Sequence, residues 1–128
     1  QGAVWGPAAY DLVSLLRDAY IEWDEGFQRA QAQAHWTRAR AAGVAMPATF
    51  DDFWRDFEWS GLQRQLKVLG LFARLSVRDS RHNYIADMPR VWGYAYRTAK
   101  RYAELSPLAR LLQQVDPGRR TPPFNHAA

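Results

Sequence analysis

Two groups of side chains in this sequence have the types and spacing to act on an anionic or polyhydroxyl ligand. Arg17 and Asp18 are adjacent, and Asp11 lies less than two helical turns before them, behind a loop that contains Gly2, Gly6 and Pro7. A guanidinium and two carboxylates at a helix entrance can orient that loop or reach a pocket beside it, and they can equally pair with each other. Arg64, Lys67, Arg74 and Arg78 recur at helical spacing, with Arg81 beyond. Such a row is either an edge for phosphate or carboxylate groups or the wet face of a helix buried on its other side. The carboxylates Glu22, Asp24 and Glu25 read as the soluble end of a helix. Asp51, Asp52, Asp56 and Glu58 read as charges near a helix N-terminus, where they suit the exposed amides, rather than as a metal cluster. His35, His82 and His126 are too scattered for a histidine metal site.

Other chemistries are excluded or illegible. With no cysteine among 128 residues there are no disulfides, thiolate metal sites or cysteine nucleophiles. The sequence has no glycine-rich phosphate loop, His-Glu-x-x-His helix, calcium loop or Gly-x-Ser-x-Gly elbow, so no complete nucleotide-binding apparatus can be read in it. No stretch is apolar enough to span a bilayer, and the opening residues lack a secretory pattern. The expectation is a cytoplasmic protein with no membrane partner. Its two halves differ in charge: residues 1–60 carry five Lys or Arg against nine Asp or Glu, and residues 61–128 carry twelve against four. That asymmetry fits an anionic partner, or two halves that face each other. A basic nucleic-acid-binding domain is the tempting version of the first, but large apolar residues interrupt the basic segment and there is no tight helix-turn-helix pair or basic arm. No nucleic-acid partner is expected.

The elements that must hold these residues are helices. Leu12, Leu15, Leu16, Ala19, Tyr20 and Trp23 recur at three and four positions, which predicts a helix over 8–23. A second is predicted over 25–42, packing through Phe27, Ala30, Ala34, Ala41 and Trp36, with Gly43 at its C-cap. Thr49 and Asp52 mark the start of a third, in which Phe50, Phe53, Trp54, Phe57, Leu62, Leu66, Leu69 and Phe72 form one stripe to about Val77. Ser60 and Gly61 can bend or divide it. After a turn over 79–83, a helix carries Val91, Tyr94, Ala95, Thr98 and Tyr102, and a short one follows Ser106 as cap with Pro107 in its first turn. No strand is expected, so the fold class is all-α, with a helical subdomain over 1–117 and a tail over 118–128. Six Trp, six Tyr and six Phe imply dense packing or a face that covers something else.

Four segments carry a family resemblance. They are 4–18, Val-Trp-Gly-Pro-Ala-Ala-Tyr-Asp-Leu-Val-Ser-Leu-Leu-Arg-Asp; 61–75, Gly-Leu-Gln-Arg-Gln-Leu-Lys-Val-Leu-Gly-Leu-Phe-Ala-Arg-Leu; 84–90, Tyr-Ile-Ala-Asp-Met-Pro-Arg; and 102–109, Tyr-Ala-Glu-Leu-Ser-Pro-Leu-Ala. In order and spacing they resemble the C-terminal part of the aminoglycoside-phosphotransferase-like kinases. Within these, the match is to the anomeric kinases of cell-wall recycling that act on N-acetylmuramate and N-acetylglucosamine. The resemblance implies a bilobal, protein-kinase-like fold of which this chain is the helical part of the C-lobe, the side that holds the sugar. It aligns Gln1 with the Gln of a metal-binding Asp-Phe-Gln segment, so the catalytic aspartate, the metal ligands and the nucleotide lysine are expected in a longer protein.

ATP and Mg2+ are then the cofactors of the complete enzyme, the missing N-lobe and catalytic core are the chain's partners, and the fragment alone is expected to be inactive. The resemblance makes Gln1, Tyr10 and Asp11 braces of the metal loop, with Trp5 packed beside them. It makes Arg17, Asp18, Arg64 and Lys67 candidates on the sugar side, where a lactyl carboxylate suits a cation. Two positions depart from the family pattern: Gly2 replaces an aspartate, and Gln65 replaces the histidine of Gln-Arg-His-Leu-Lys, either of which can alter acceptor preference. An aminoglycoside or other small-sugar phosphotransferase, and a non-catalytic helical interaction module, are the other readings.

Overall fold

The computed structural model describes Gly6, residues 8–18, 20–78 and 88–115, with backbone alone at 76–78. Five α-helices form over these residues: α1 Tyr10–Leu16, α2 Glu25–Ala41, α3 Phe50–Arg78, α4 Met88–Arg101 and α5 Ser106–Gln114, with a 3-10 turn Ala103–Leu105 before the last. Among the described residues there is no strand, and the all-α class read from periodicity holds. The turn expected over 79–83, with His82, and the tail over 118–128 lie outside the described residues.

The scaffold is α3, whose 29 residues span about 43 Å. Thr49 Oγ1 accepts from the Asp52 amide at 3.2 Å and so caps it. Two hydrophobic clusters sit along this one helix. Around its first half, Phe53, Trp54 and Phe57 pack with Ala9, Val13 and Leu16 of the first segment and Ala32 of α2. Around its middle, Leu62 packs with Ala95 and Ala99 of α4 and Leu112 of α5. Burying Phe53 and Phe57 completely contributes roughly 1.5–3 kcal/mol each. Trp92 Nε1 donates to the Leu112 carbonyl at 2.8 Å, tying α4 to the end of α5.

Ser60 and Gly61 do not divide α3, which runs through them unbroken. Gly61 is explained by a neighbour instead. A Cβ there would lie 3.0 Å from Val13 Cγ2 and 3.2 Å from Arg17 Cδ, so its missing side chain lets α1 approach α3 closely. Gly61→Ala gains about 1 kcal/mol of helix propensity. Against this stands overpacking, typically about 1–3 kcal/mol, because Val13 is fully buried and has nowhere to move. The expected net result is a loss of about 1 kcal/mol in chemical unfolding; a stabilised variant would contradict this packing.

Three sequence expectations are corrected. The first helix ends at Leu16, not near Trp23, because Arg17 leaves the helical conformation (φ −121°, ψ 49°) and turns its side chain into the interior. In α2 the buried positions are Gln28 and Ala32, whereas Phe27 stays 42% exposed and Ala30 and Ala41 face outward. Ser106 is not the cap of α5: Leu105 holds that position without a side-chain cap bond, and Ser106 and Pro107 form the first turn. Asp24 does cap α2, accepting from the Phe27 amide at 3.1 Å, and Gly43 closes it at φ +78°.

Candidate functional site

Where α1 ends, the chain meets α3 and α4, and a buried charge network forms. The Arg17 and Glu58 side chains are 5% and 3% exposed, with Nη2 3.8 Å from Oε2. Arg17 Nε donates to Gln28 Oε1 at 2.9 Å and Nη1 to Thr98 Oγ1 at 3.2 Å. Its guanidinium carbon lies 5.7 Å from the Trp54 ring centre and 5.1 Å from that of Phe57. Glu58 also accepts from Arg101 Nη1 at 2.9 Å and from the Tyr102 hydroxyl at 3.2 Å, and Arg101 bonds Glu25 as well. One carboxylate therefore gathers two guanidiniums and a phenol from two parts of the chain, Arg17 after α1 and the adjacent Arg101 and Tyr102 at the end of α4.

Burial pushes the Arg17 guanidinium below its ordinary value while Glu58 opposes that shift; an arginine keeps its proton in such a setting. The hydrogen bond from Arg101 holds the Glu25 carboxyl below the usual carboxylate range. Tyr102 is pushed up to about 12, first by burial and then by Glu58. Its folded value exceeds the ordinary value of 10.0, so the stability it contributes is complete below pH 10 and lost as pH rises through about 12. Unfolding midpoints should fall across that window. Tyr102→Phe should flatten part of the slope, and an unchanged slope would contradict this linkage. Tyr94, raised by burial and then by Glu22, adds a dependence of the same sign.

Arg17 and Tyr94 stand between two cavities. The larger, about 400 Å3, is bounded by Glu22, Asp24, Glu25, Arg97 and Arg101 among others, largely groups already paired with each other. The smaller, about 190 Å3, is lined by Arg17, Asp18, Tyr20, Arg64, Gln65, Val68, Leu71, Phe72, Val91 and Tyr94. It combines two cations, a carboxylate and an apolar wall, a set suited to a small polyhydroxyl ligand with an apolar or anionic substituent. Arg64 Nη1 lies 3.4 Å from the Tyr10 hydroxyl, with the guanidinium over the Tyr10 ring. Asp18 Oδ1 accepts from the Tyr20 amide at 2.7 Å.

The smaller cavity thus brings together Arg17, Asp18 and Arg64 but not Lys67, which is exposed on α3 and does not line it. Tyr10 supports Arg64, and Asp11 lies exposed in the first turn of α1. Gln1, Trp5 and Arg81, and the side chain of Arg78, lie outside the described residues. Glu58 is a correction: it is no solvated helix charge but the centre of the network. Its signal was present, since 54, 58, 61 and 65 fall on one face of α3. Gln28, Thr98 and Tyr94 were not foreseen as polar partners of Arg17 or as cavity wall. The opposed charges of the two halves find a partial explanation in Arg97–Glu22 at 3.5 Å and in the Arg101 pairs with Glu25 and Glu58. Among the described residues no group of three His, Asp or Glu could hold a metal ion, and no helix is long and apolar enough to cross a membrane.

Comparison with known proteins gives three relatives. The chain is 52% identical over 115 residues to the N-acetylmuramate/N-acetylglucosamine kinase of Neisseria meningitidis, covering 90% of this chain and 34% of that protein. It is 38% identical over 118 residues to the enzyme of the same name from Pseudomonas aeruginosa, and 37% over 120 residues to that of Pseudomonas putida, covering 35% of each. The chain spans about a third of the length of the curated relatives it matches. No family model and no solved structure matches it. The resemblance carried by the four segments is upheld by these relatives, and the all-α architecture agrees with the helical C-lobe it implied.

Proposed function

We propose that this chain, which resembles the N-acetylmuramate/N-acetylglucosamine kinases across nine tenths of its length, is the sugar-side helical part of an ATP-dependent kinase. The acceptor is an N-acetylated amino sugar, phosphorylated on its anomeric hydroxyl. The observation that carries this reading is the cavity of about 190 Å3 at which Arg17, Asp18 and Arg64 converge. Three residues named from the sequence as sugar-side candidates thus border one space of ligand size.

The division of labour follows from what each side chain has left to give. Arg17 is committed to Glu58, Gln28 and Thr98; it is a positioning residue that fixes the wall. Among the described residues Arg64 meets Tyr10, through a long contact to its hydroxyl and over its ring, so its remaining N–H groups can donate to sugar hydroxyls or to a lactyl carboxylate. Asp18 uses Oδ1 on the Tyr20 amide, leaving Oδ2 to accept from a hydroxyl.

ATP and Mg2+ belong, in this reading, to the remainder of a longer protein; when bound, the metal neutralises phosphate charge during transfer. The described residues offer no cluster for that metal. Leu15 at 70% exposed, Ile21, Trp23 and Phe27 border a shallow apolar depression beside the site. They give the remainder of the protein a surface to bury. A cytoplasmic location follows from the same reading.

The test is acceptor-dependent ADP release by the full-length protein containing this chain, with N-acetylmuramate, N-acetylglucosamine and an aminoglycoside as acceptors. Release with the acetylated sugars alone is expected, with none from the 128-residue chain by itself. Release with the aminoglycoside alone, or with no acceptor, would overturn the reading.

A further inference from the structure

We propose that Tyr20 is the platform on which the acceptor's sugar ring stacks, an inference that rests on the amino-sugar kinase reading above. A tyrosine that is 58% exposed says little by itself, since single apolar side chains are common on protein surfaces. Its surroundings say more. Tyr20 lines the cavity of about 190 Å3, whereas its neighbour Ile21 borders the apolar depression with Leu15, Trp23 and Phe27, which Tyr20 does not line. The ring is therefore separate from the surface left for the remainder of the protein. The other described tyrosines are all engaged: Tyr10 lies under Arg64, Tyr94 under Arg97, Tyr96 stacks on Trp92, and Tyr102 meets Trp59 and Glu58. Tyr20 bonds through its backbone amide, and among the described residues its side chain has no ring, cation or hydrogen-bond partner.

The backbone holds this ring in place. The chain leaves the helical conformation at Arg17, and the segment that follows is pinned twice. Asp18 Oδ1 accepts from the Tyr20 amide at 2.7 Å, and the Tyr94 hydroxyl donates to the Ile21 carbonyl at 3.3 Å. The first bond also fixes Asp18, so a carboxylate and an aromatic ring reach the same cavity from one short stretch of chain. That pair matches the two kinds of surface on a pyranose. The hydroxyls of the sugar lie around its edge, where they donate to a carboxylate. Its C–H groups make the faces apolar, and they carry the slight positive charge that the negative face of an aromatic ring attracts. Phenylalanine would supply the same face, but a tyrosine also tolerates water at its polar tip while the site is empty.

The experiment compares the full-length protein with its Tyr20→Ala and Tyr20→Phe variants. The KM for N-acetylglucosamine, the KM for ATP, kcat and the unfolding midpoint are measured for each. Tyr20→Ala should raise the sugar KM about five- to tenfold, the worth of one aromatic contact of this kind. It should leave kcat and the ATP KM within about twofold, because a platform holds the ground state and the transition state alike. Tyr20→Phe keeps the ring and removes only the hydroxyl, so it should stay within about twofold of the wild type throughout. The unfolding midpoint should hold in both variants, as expected of an exposed side chain. A tyrosine that merely shaped its loop would instead lower the midpoint of Tyr20→Ala and raise both KM values together, and that result overturns the assignment. So does a sugar KM that is unchanged in Tyr20→Ala, or that rises equally in Tyr20→Phe. A wild type that phosphorylates no sugar overturns the kinase reading beneath it. Should Tyr20→Ala fail to fold, Tyr20→Leu, which keeps apolar bulk without a flat ring, carries the same comparison.

Discussion

Glu58→Ala is expected to lower the unfolding free energy by about 3–5 kcal/mol, the usual cost of removing one partner from a buried ion pair. Arg17 would remain, with a side chain 5% exposed, no carboxylate within bonding distance among the described residues, and only Gln28 and Thr98 to accept from it. Arg101 and Tyr102 would lose their shared acceptor at the same time. The converse change, Arg17→Met, should cost less, since Glu58 keeps Arg101 and Tyr102, and since an apolar side chain against Trp54 and Phe57 recovers packing. Chemical denaturation of the three proteins checks this order. Equal losses, or a milder Glu58→Ala, would mean that Glu58 is not the centre of the network.

The second large effect is expected at Phe57. Phe57→Ala should cost about 3–5 kcal/mol, as truncating a large buried side chain removes its transfer energy and leaves a cavity. Phe57 is fully buried, lies 4.8 Å between ring centres from Trp54 at an interplanar angle of 12°, and covers Arg17 from below. Glu58 and Phe57 act on the same guanidinium, so the two losses are coupled, and the double variant should fall short of their sum by about 0.5–3 kcal/mol. A strictly additive pair would show that ring and carboxylate stabilise Arg17 independently. For a domain stabilised by about 5–15 kcal/mol in total, either change alone moves the protein close to its unfolding threshold.

What could be read in the sequence follows the strength of each local signal. The stripe of α3, from Phe50 through Phe72 with Thr49 at its cap, agrees with the backbone because period, capping and apolar size all favour one helix. The C-terminal end of α1 could not be read this way. Leu12, Leu15, Leu16 and Ala19 continue the period past the point where Arg17 is drawn inward, and that pull comes from Glu58, Gln28 and Thr98, three separate parts of the chain. Phe27 illustrates the same limit, since its aromatic ring suggests a core position that Gln28 and Ala32 occupy instead.

The site was legible in part and for a physical reason. Arg17, Asp18 and Arg64 stand out as charged groups beside apolar stripes, and they converge on one cavity; Lys67 shares the helical spacing of Arg64 but points to solvent. Glu58 and Gln65 carry the buried polar chemistry of α3, yet polar residue types argue for the surface. Their spacing from Trp54, at four and eleven residues, is what argues for the interior. Gln65, which departs from the family pattern, is buried with both amide atoms unpartnered among the described residues.

The position of the transferred phosphate tests the anomeric kinase reading most directly. The full-length protein is supplied with ATP and N-acetylglucosamine, and the phosphorus spectrum of the sugar product is recorded with coupling to the sugar protons retained. A phosphorus resonance coupled to the proton on the anomeric carbon is the expected result. Phosphate on any other hydroxyl, or no sugar phosphate from an intact, ATP-binding protein, would contradict it.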